Sequence, residues 1–427
     1  MVSIYRINVA ILIFYIAMLP FEMFKLPVFR VSPGKLVLLL MVVFLFIQIV
    51  ITKKISSRKC FYIFSIFLSS IVFSNIFVTN FWGLDSSKLA EYLPSFVLGV
   101  FIFFTSSAIM SSKYFDVYKI QIILKYTVFM IVVMAIYNYL SIHILGKAPF
   151  SFLGADYFQP MATNEKISRG LRLYMPTATP PRLAFLVGML CLLLMHLVFE
   201  RKQGKVWFIL VFLIAFFILV NTGSRTGMIP FVLGGGYYLF SRVVRLRDVK
   251  SCTIFLLCIF LFSSLLPLIL SSDSRAVSFS LEEGSSLARH VLIRLDALDL
   301  LMNADIERLI FGFGTGQFSY YNSTEAPYTF TLLLTVFIDN GILGLVSVVL
   351  FLSMFLQKNK YVNSLPKKEK IIMSSLCLCF VMSSFFYELK AEPYFWVIGS
   401  MLLMYPKVYY RENISNNNIL QCTRNYS

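Results

Sequence analysis

The chain contains few charged residues and few residues that bind metals. Only 14% of its 427 residues are charged and only three are histidine, whereas a soluble domain is about a quarter charged. No glycine period and no sustained heptad repeat is present, which excludes collagen-like and coiled-coil proteins. No Asp-x-Asp pair, Cys/His cluster or Walker loop is present either. We therefore expect no metal, no cofactor and no ATP hydrolysis.

Apolar residues dominate instead. They make up 58% of the chain, mean hydropathy is +0.79, and phenylalanine alone supplies 44 residues. This composition excludes intrinsic disorder and a water-soluble domain with one buried core. It predicts an all-α polytopic membrane protein, with residues 1–427 forming a single integral membrane domain.

Apolar runs long enough to form transmembrane helices recur along the whole chain, since about 20 residues cross the hydrocarbon core. About twelve spans are predicted. The first is expected to be an uncleaved span rather than a signal peptide, because no small-residue cleavage site follows it. The twelve cover residues 7–21, 36–51, 61–78, 92–110, 120–140, 183–199, 206–220, 228–240, 254–270, 328–356, 371–386 and 394–405.

Lysine and arginine predict the orientation of these spans. Alternate connections, together with both termini, carry 22 basic residues, and the other connections carry 15 although they are longer. Basic residues concentrate on the cytoplasmic side, so both termini are expected in the cytoplasm. The net charge of +17 is therefore a topology signal, and no nucleic-acid partner is expected.

Two predicted extracytoplasmic connections are long, residues 145–182 and 271–327, and the longer one lies in the C-terminal half. They are too polar to span and too long for hairpin turns, so functional residues are expected there. All seven cysteines lie in spans or on the cytoplasmic side, so no disulfide is expected.

Arginine outnumbers lysine on the predicted outer side, nine to six. Guanidinium binds phosphate bidentately and tolerates partial burial, so this set predicts a site for a phosphate-bearing substrate. Arg225, in the short turn 221–227, is expected at or inside the membrane boundary. Arg182 follows two prolines that open a span, and Arg172 lies close before it. Contacts with lipid headgroups or loop acids are the alternative for any single arginine.

Residues 285–301 predict an amphipathic helix on the membrane face, beginning at Ser285 or Ser286. His290 and Arg294 are four residues apart and share a face, beside Arg289. They are either an acid/base group next to a phosphate-binding group, or part of an interfacial helix whose histidine is incidental.

A glycine-rich stretch, residues 311–318, follows no predicted strand, so a dinucleotide site is excluded. It predicts an N–H-rich turn at the head of a membrane cavity, with Gly314 and Gly316 near substrate. The next span is broken at Asp339-Asn340-Gly341. An acid inside a span is a functional candidate; the alternative is that Asp339 caps the second half-helix or lies at the interface.

Together these motifs resemble those of the O-antigen polymerase and O-antigen ligase superfamily. The resemblance covers the C-terminal part of the chain and rests on the order of 224–227, the helix with Arg289 and Arg294, 312–316, and 339–345. Arg182 is placed as in the family. The ligases carry a Pro-His-Asn element, whereas residues 327–331 contain no histidine, which favours a Wzy-type polymerase.

The resemblance implies a GT-C-like, all-helical glycosyltransferase in the bacterial inner membrane. It would transfer a growing glycan from undecaprenyl pyrophosphate to a lipid-linked repeat unit on the periplasmic face, in the biosynthesis of lipopolysaccharide or a related surface polysaccharide. Expected partners are this lipid-linked glycan, membrane lipid, a chain-length regulator and a flippase. Expected catalytic residues are Arg225, Arg289, His290 and Asp339; expected substrate-binding residues are Arg172, Arg182, Arg294, Gly314, Gly316 and Tyr328.

Two other functions stay open. One is the ligase that transfers finished polymer to lipid A core. The other is a flippase or transporter of lipid-linked glycan, which is less favoured because a transporter concentrates charges at the membrane midplane. Only Lys125 lies deep in a predicted span. The general base is also open between His290, Asp339, Glu325 and Tyr328.

Overall fold

A computed structural model of the chain describes residues 2–18, 33–52, 58–81, 87–112, 114–145, 180–200, 204–222, 224–247, 253, 286–323, 326, 329, 331–357, 360–386 and 393–424. This part of the chain is all-helical and contains no strand. Its α-helices are α1 Val2–Met18, α2 Pro33–Thr52, α3 Arg58–Phe81, α4 Ser87–Met110, α5 Val117–His143, α6 Pro180–Glu200, α7 Lys205–Asn221, α8 Arg225–Leu246, α9 Ser286–Met302, α10 Ile306–Phe311, α11 Leu332–Leu356, α12 Lys360–Ser364, α13 Lys367–Phe386 and α14 Pro393–Arg424. A short 3-10 helix covers Gln317–Tyr320.

The prediction of an all-α fold is confirmed for the described residues. Helices occupy eleven of the twelve predicted spans, and the remaining one, 254–270, lies outside the described residues. Three segments are long and apolar enough to cross a membrane by length and composition, Leu183–Glu200, Leu332–Ser364 and Lys367–Phe386. Five shorter apolar helices accompany them. Twelve membrane crossings and a GT-C-like arrangement stay predictions.

Helix α14 continues well beyond residue 405, where the predicted span ended. Val408 is buried, and the guanidinium of Arg411 donates to the backbone carbonyls of Ser111, at 3.0 Å, and Phe115. The sequence placed the end of the helix where the apolar run stops. These contacts with the segment before α5 stabilise the additional turns.

Local sequence explains several helix ends. Pro33, Pro180 and Pro393 are the first residues of α2, α6 and α14. An N–H group at this position has no acceptor within the helix, so proline, which lacks the N–H, loses no hydrogen bond there. Asp116 caps α5, since its carboxylate accepts the backbone N–H of Lys119 at 2.8 Å.

The helices pack as neighbouring pairs, with α8 on α13, α3 on α11, α4 on α14, and α6 on both α7 and α8. Helices α6 and α8 approach so closely that a Cβ atom on Gly227 would lie 2.2 Å from the Ala184 carbonyl oxygen. Because Arg182 and Arg225 are two residues before these contact points, the N-terminal ends of α6 and α8 lie side by side.

Aromatic rings fill the core where α4, α11, α13 and α14 meet. Phe380 and Phe395 stack with their ring centroids 4.4 Å apart, and Phe351 packs edge-on against Phe103 at 5.2 Å. Trp396 contacts both Phe103 and Phe351. These contacts hold α11, which carries the candidate site, against α4, α13 and α14.

Candidate functional site

Helix α11 is broken at Gly341, as predicted, where φ is +64° and ψ is −163°. Two carbonyl groups close before the break, those of Ile338 and Asp339, accept hydrogen bonds from outside the helix. The N–H of Phe313 donates to Ile338 at 2.7 Å, and the N–H of Gly314 donates to Asp339 at 3.1 Å. Buried backbone groups need hydrogen-bond partners, so the segment after α10 stabilises the break.

We call residues 312–317 the glycine-rich loop. Gly312, Gly314 and Gly316 have φ values of 85°, 94° and 77°, in the region that favours glycine. Every backbone N–H from Gly312 to Gln317 donates within the protein, in chain order to Arg308 O, Ile338 O, Asp339 O, Asn75 Oδ1, Asp339 Oδ1 and Gly314 O. These N–H groups are therefore engaged in the fold rather than presented to a ligand. Contact of Gly314 and Gly316 with substrate stays a prediction.

Asp339 is buried, with 1% of its surface exposed. Its carboxylate accepts the N–H of Gly316 at 3.3 Å, and its own carbonyl also accepts the hydroxyl of Ser74 at 2.6 Å. The acid therefore joins three segments, which are the break in α11, the glycine-rich loop and α3. This geometry favours a positioning role for Asp339.

Helix α3 supplies a second anchor of the loop, which sequence reasoning missed. Asn75 donates to the hydroxyl of Thr315 at 3.2 Å and accepts the backbone N–H of Thr315 at 3.1 Å. The hydroxyl of Thr315 also donates to Asn340 at 3.5 Å. The signal in the sequence is the adjacent pair Ser74 and Asn75 inside an apolar run, because buried polar groups need partners.

Helix α9, predicted from its amphipathic pattern, is confirmed and begins at Ser286. Its Ile293 and Ala297 are fully buried and belong to the same small apolar cluster as Phe313 of the glycine-rich loop. Leu295 and Leu298, by contrast, are exposed. The helix is therefore apolar on two sides, and the sequence does not tell which side the protein covers.

His290 and Arg294 lie one turn apart on α9, and both are half-buried. The Arg294 Nε atom is shielded from solvent without a hydrogen-bond acceptor, and no ion pair involves Arg294 within the described residues. Burial lowers the pKa of this guanidinium, because it penalises the charged form. A half-buried guanidinium whose Nε atom has no acceptor is a favourable binding site for an anion. Arg308, by contrast, lies over the rings of Phe313 and Tyr321.

The other predicted arginines are described less completely. Arg289 is exposed on α9. Arg225 is the first residue of α8 and Arg182 lies in the first turn of α6, but the placement of both side chains is outside the described structure. Arg172, Glu325 and Tyr328 lie outside the described residues altogether. The close packing of α6 on α8 brings the backbones of Arg182 and Arg225 to one end of the helix pair.

A second polar cluster lies toward the opposite end of α11, where α6 and α8 end and α13 begins. Arg242 donates to the Glu200 carboxylate at 2.6 Å and to the Tyr238 hydroxyl at 3.0 Å. Lys368 donates to the other oxygen of Glu200 at 2.7 Å. The guanidinium of Arg242 also lies 4.5 Å above the ring of Phe199. We call this the Glu200 cluster.

A histidine extends the Glu200 cluster toward α14. His196 Nδ1 lies 3.1 Å from the Tyr238 hydroxyl, and Nε2 lies 3.6 Å from the carboxylate of Glu369. Glu369 in turn accepts the hydroxyl of Tyr405 at 3.1 Å. Sequence reasoning missed this network because it treated the lysines and arginines here only as topology signals.

The chain matches no protein-family model and no curated protein sequence. Within the described residues, no group of three or more His, Cys, Asp or Glu side chains is arranged to hold a metal ion. Membership of the O-antigen polymerase and ligase superfamily therefore stays a prediction from the motifs.

Proposed function

We propose that this protein is a membrane glycosyltransferase that polymerises oligosaccharide repeat units carried on undecaprenyl pyrophosphate. The donor and the acceptor would both be lipid-linked, and the reaction would take place on the periplasmic face of a bacterial inner membrane. The proposal accounts for an apolar, all-helical chain whose predicted outer side is rich in arginine. It also accounts for a site built from backbone turns and guanidinium groups.

The observation that carries the proposal is the state of Arg294. Its guanidinium is half-buried, its pKa is lowered by burial, and no carboxylate neutralises it within the described residues. Partial burial of a charge is unfavourable unless an opposite charge or hydrogen bonds replace the lost contacts with water. A diphosphate, with several negative oxygens, gains most from such a group.

The reaction is a substitution at the anomeric carbon of the donor sugar. A hydroxyl oxygen of the acceptor forms the new bond to this carbon while the bond to the diphosphate oxygen breaks. The electron pair of that bond stays on the diphosphate, and the hydroxyl proton passes to a base. Fixed cations near the leaving oxygen stabilise the developing charge.

Roles follow from charge and position. Arg225 and Arg289 would stabilise the leaving diphosphate, and Arg172, Arg182 and Arg294 would hold diphosphate or glycan. For the base we favour His290, because it is half-buried beside Arg294 whereas Asp339 is buried and bonded to the glycine-rich loop. Gly314, Gly316 and Tyr328 would line the glycan path.

Gel analysis of surface polysaccharide from a deletion strain tests the proposal. If the protein is a polymerase, its deletion leaves lipid A core that bears a single repeat unit. Bare core would assign the ligase reaction instead, and repeat units retained on the cytoplasmic leaflet would assign transport. Either result overturns the proposal.

Complementation with variants tests the residues. Arg225→Ala should lower polymerisation about 100-fold, as removal of one charge-stabilising group does, and Arg294→Ala should also lower it strongly, because Arg294 would hold the diphosphate. Arg294→Lys and Arg225→Lys should not restore it, since lysine lacks the bidentate fork. Arg245→Ala is the matched control, because Arg245 is an exposed arginine near the Glu200 cluster. Long chains from the Arg294→Ala and Arg225→Ala strains at normal protein levels would remove both arginines from the mechanism.

A further inference from the structure

Helix α9 presents three different faces. Successive residues of a helix are about 100° apart around its axis. Ile293 and Ala297 therefore mark one side, which packs against the protein. Asp296 and Asn303 mark a polar side. The third side carries Leu295, Leu298 and Met302, which fall within about 60° of one another.

The third side is exposed and apolar, and it continues onto α10. Met302 is 86% exposed and Ile306, across a short turn, is 73% exposed. We call Leu295, Leu298, Met302, Ile306 and Ile310 the α9–α10 apolar face. Side chains of this size are rarely exposed as one continuous group unless a partner covers them.

The break in α11 fixes the membrane depth of α10. Helix α11 rises about 1.5 Å per residue, so Gly341 lies about 22 Å from Leu356 along the axis. Lys358 and Lys360 follow that end and mark one boundary of the membrane. The hydrocarbon core is about 30 Å thick, so Gly341 lies within its far third. The carbonyl oxygen of Ile310 would lie only 2.1 Å from a Cβ atom on Gly341, so α10 ends at the same depth.

The α9–α10 apolar face is continuous with the apolar surface of α11. After the break, Ile342, Leu343 and Val346 are exposed on α11, a helix long and apolar enough to span a membrane. Ile310 touches Gly341 and is therefore next to this surface. The same layer of acyl chains that contacts the second half of α11 is thus in reach of α10 and the end of α9.

We propose that the α9–α10 apolar face is embedded in the acyl-chain layer of the leaflet that surrounds the Gly341 end of α11, so that α9 lies at the membrane surface as a fixed interfacial helix. One side of α9 is held by the glycine-rich loop, and another is held by lipid. The polar side with Asp296, Asp299 and Asn303 then faces water. This surface needs no catalytic activity, so the inference does not rest on the proposed function.

The embedding separates the two arginines of α9. Arg294 lies about 40° from Leu298 around the helix, at the border between the protein-facing and lipid-facing sides. Arg289 lies about 20° from Asp296 around the helix, at the border between the protein-facing and water-facing sides. Arg294 is therefore in reach of phosphate groups carried by lipids, whether of headgroups or of a polyprenyl carrier, and Arg289 lies farther from the acyl chains.

Collision measurements on nitroxide labels test the embedding. The full chain carries a ketone-bearing amino acid at position 295, 302 or 306, which is labelled without using the native cysteines, and is reconstituted in phosphatidylcholine vesicles. Positions 299 and 303 are the matched controls on the same helix and its end. The ratio of oxygen to nickel-chelate accessibility should be several-fold higher at 295, 302 and 306 than at 299 and 303.

Two results would overturn the proposal. Equal ratios at all five positions would put the α9–α10 apolar face in water, and protection of 295, 302 and 306 from both reagents would mean that a protein partner or a second copy covers it. As a second measurement, Leu295→Trp and Asn303→Trp are compared with the parent chain in vesicles of brominated phosphatidylcholine. The added fluorescence of Leu295→Trp should be quenched several-fold more than that of Asn303→Trp. Equal quenching contradicts the embedding.

Discussion

The carboxylate of Asp339 accepts the backbone N–H of Gly316 at 3.3 Å, which joins the break in α11 to the glycine-rich loop. An acid inside an apolar helix is a functional candidate by default, yet this contact gives Asp339 a structural task. A structural role and a catalytic role predict different results for a substitution that keeps an acceptor oxygen but removes the acid.

Asp339→Asn retains an oxygen that can accept the Gly316 N–H, whereas Asp339→Ala removes it. We expect the alanine variant to lose about 1–3 kcal/mol of stability, the cost of an unsatisfied buried donor, and, on the proposed function, to make shorter glycan chains. The asparagine variant should stay close to the parent protein in both respects. Thermal unfolding in detergent and polysaccharide gels measure them. A stable but inactive Asp339→Asn protein would instead identify Asp339 as the base.

Gly341→Ala should destabilise the protein strongly. Its φ of +64° disfavours any side chain, at about 1–3 kcal/mol, and the new methyl would overlap the Ile310 carbonyl. Gly236→Ala is the control, because no atom lies within 4 Å of the added Cβ in α8 and alanine favours a helix by up to about 1 kcal/mol. Size-exclusion chromatography after heating compares the two. Equal melting temperatures would mean that the break in α11 is not formed as described.

Asn75→Ala should weaken the glycine-rich loop from the side of α3. It removes both contacts with Thr315, one of them to a backbone N–H, so we expect a loss of about 1–3 kcal/mol. Thr315→Ala keeps the backbone contact and should cost less. Asn221→Ala is the control, since the Asn221 side chain donates to the Phe217 carbonyl of its own helix. Thermal unfolding of the three variants gives the order, and an Asn75→Ala protein as stable as the control would contradict the anchor.

Glu200→Gln should destabilise the packing of α6, α8 and α13. It leaves the guanidinium of Arg242, which is only 5% exposed, without its acid. Breaking a buried pair costs about 3–5 kcal/mol, and the partial exposure of Glu200 reduces this figure. Lys368→Ala should cost less than about 1 kcal/mol because Lys368 is exposed.

The double variant Glu200→Leu with Arg242→Leu completes this test. It removes both charges, so its melting temperature should exceed that of Glu200→Gln. The Glu200 cluster lies away from the glycine-rich loop, so, on the proposed function, the glycan chains made by surviving protein should keep their length. Shortened chains at full stability would place the cluster in the reaction rather than in the scaffold.

The sequence predicted the long helices and the break in α11 because both depend on local composition. Apolar runs need helical hydrogen bonding in a membrane, and Asp339-Asn340-Gly341 interrupts such a run. The partners of the break did not follow from the sequence. Asn75 and Thr315 lie far apart in the chain, and no local sequence pattern around either residue identifies the other as its partner.

Helix α9 and the Glu200 cluster show a second kind of limit. The pattern of α9 predicted an amphipathic helix, but two of its three sides are apolar, and only tertiary packing selects Ile293 over Leu298 for the interior. Arg242 and Lys368 carry a topology signal and an ion pair at once. Composition shows the first role, and three-dimensional proximity alone shows the second.

The contact between Asn75 and Thr315 spans 240 residues of sequence, which has a consequence for synthesis on the ribosome. At about 5–20 residues per second, roughly 10–50 seconds pass between translation of the first residue and translation of the second. During this interval α3 is already made while the segment that completes its polar end does not yet exist. The contacts of Ser74 and Asn75 with Asp339 and Thr315 therefore form only after the C-terminal third has been made.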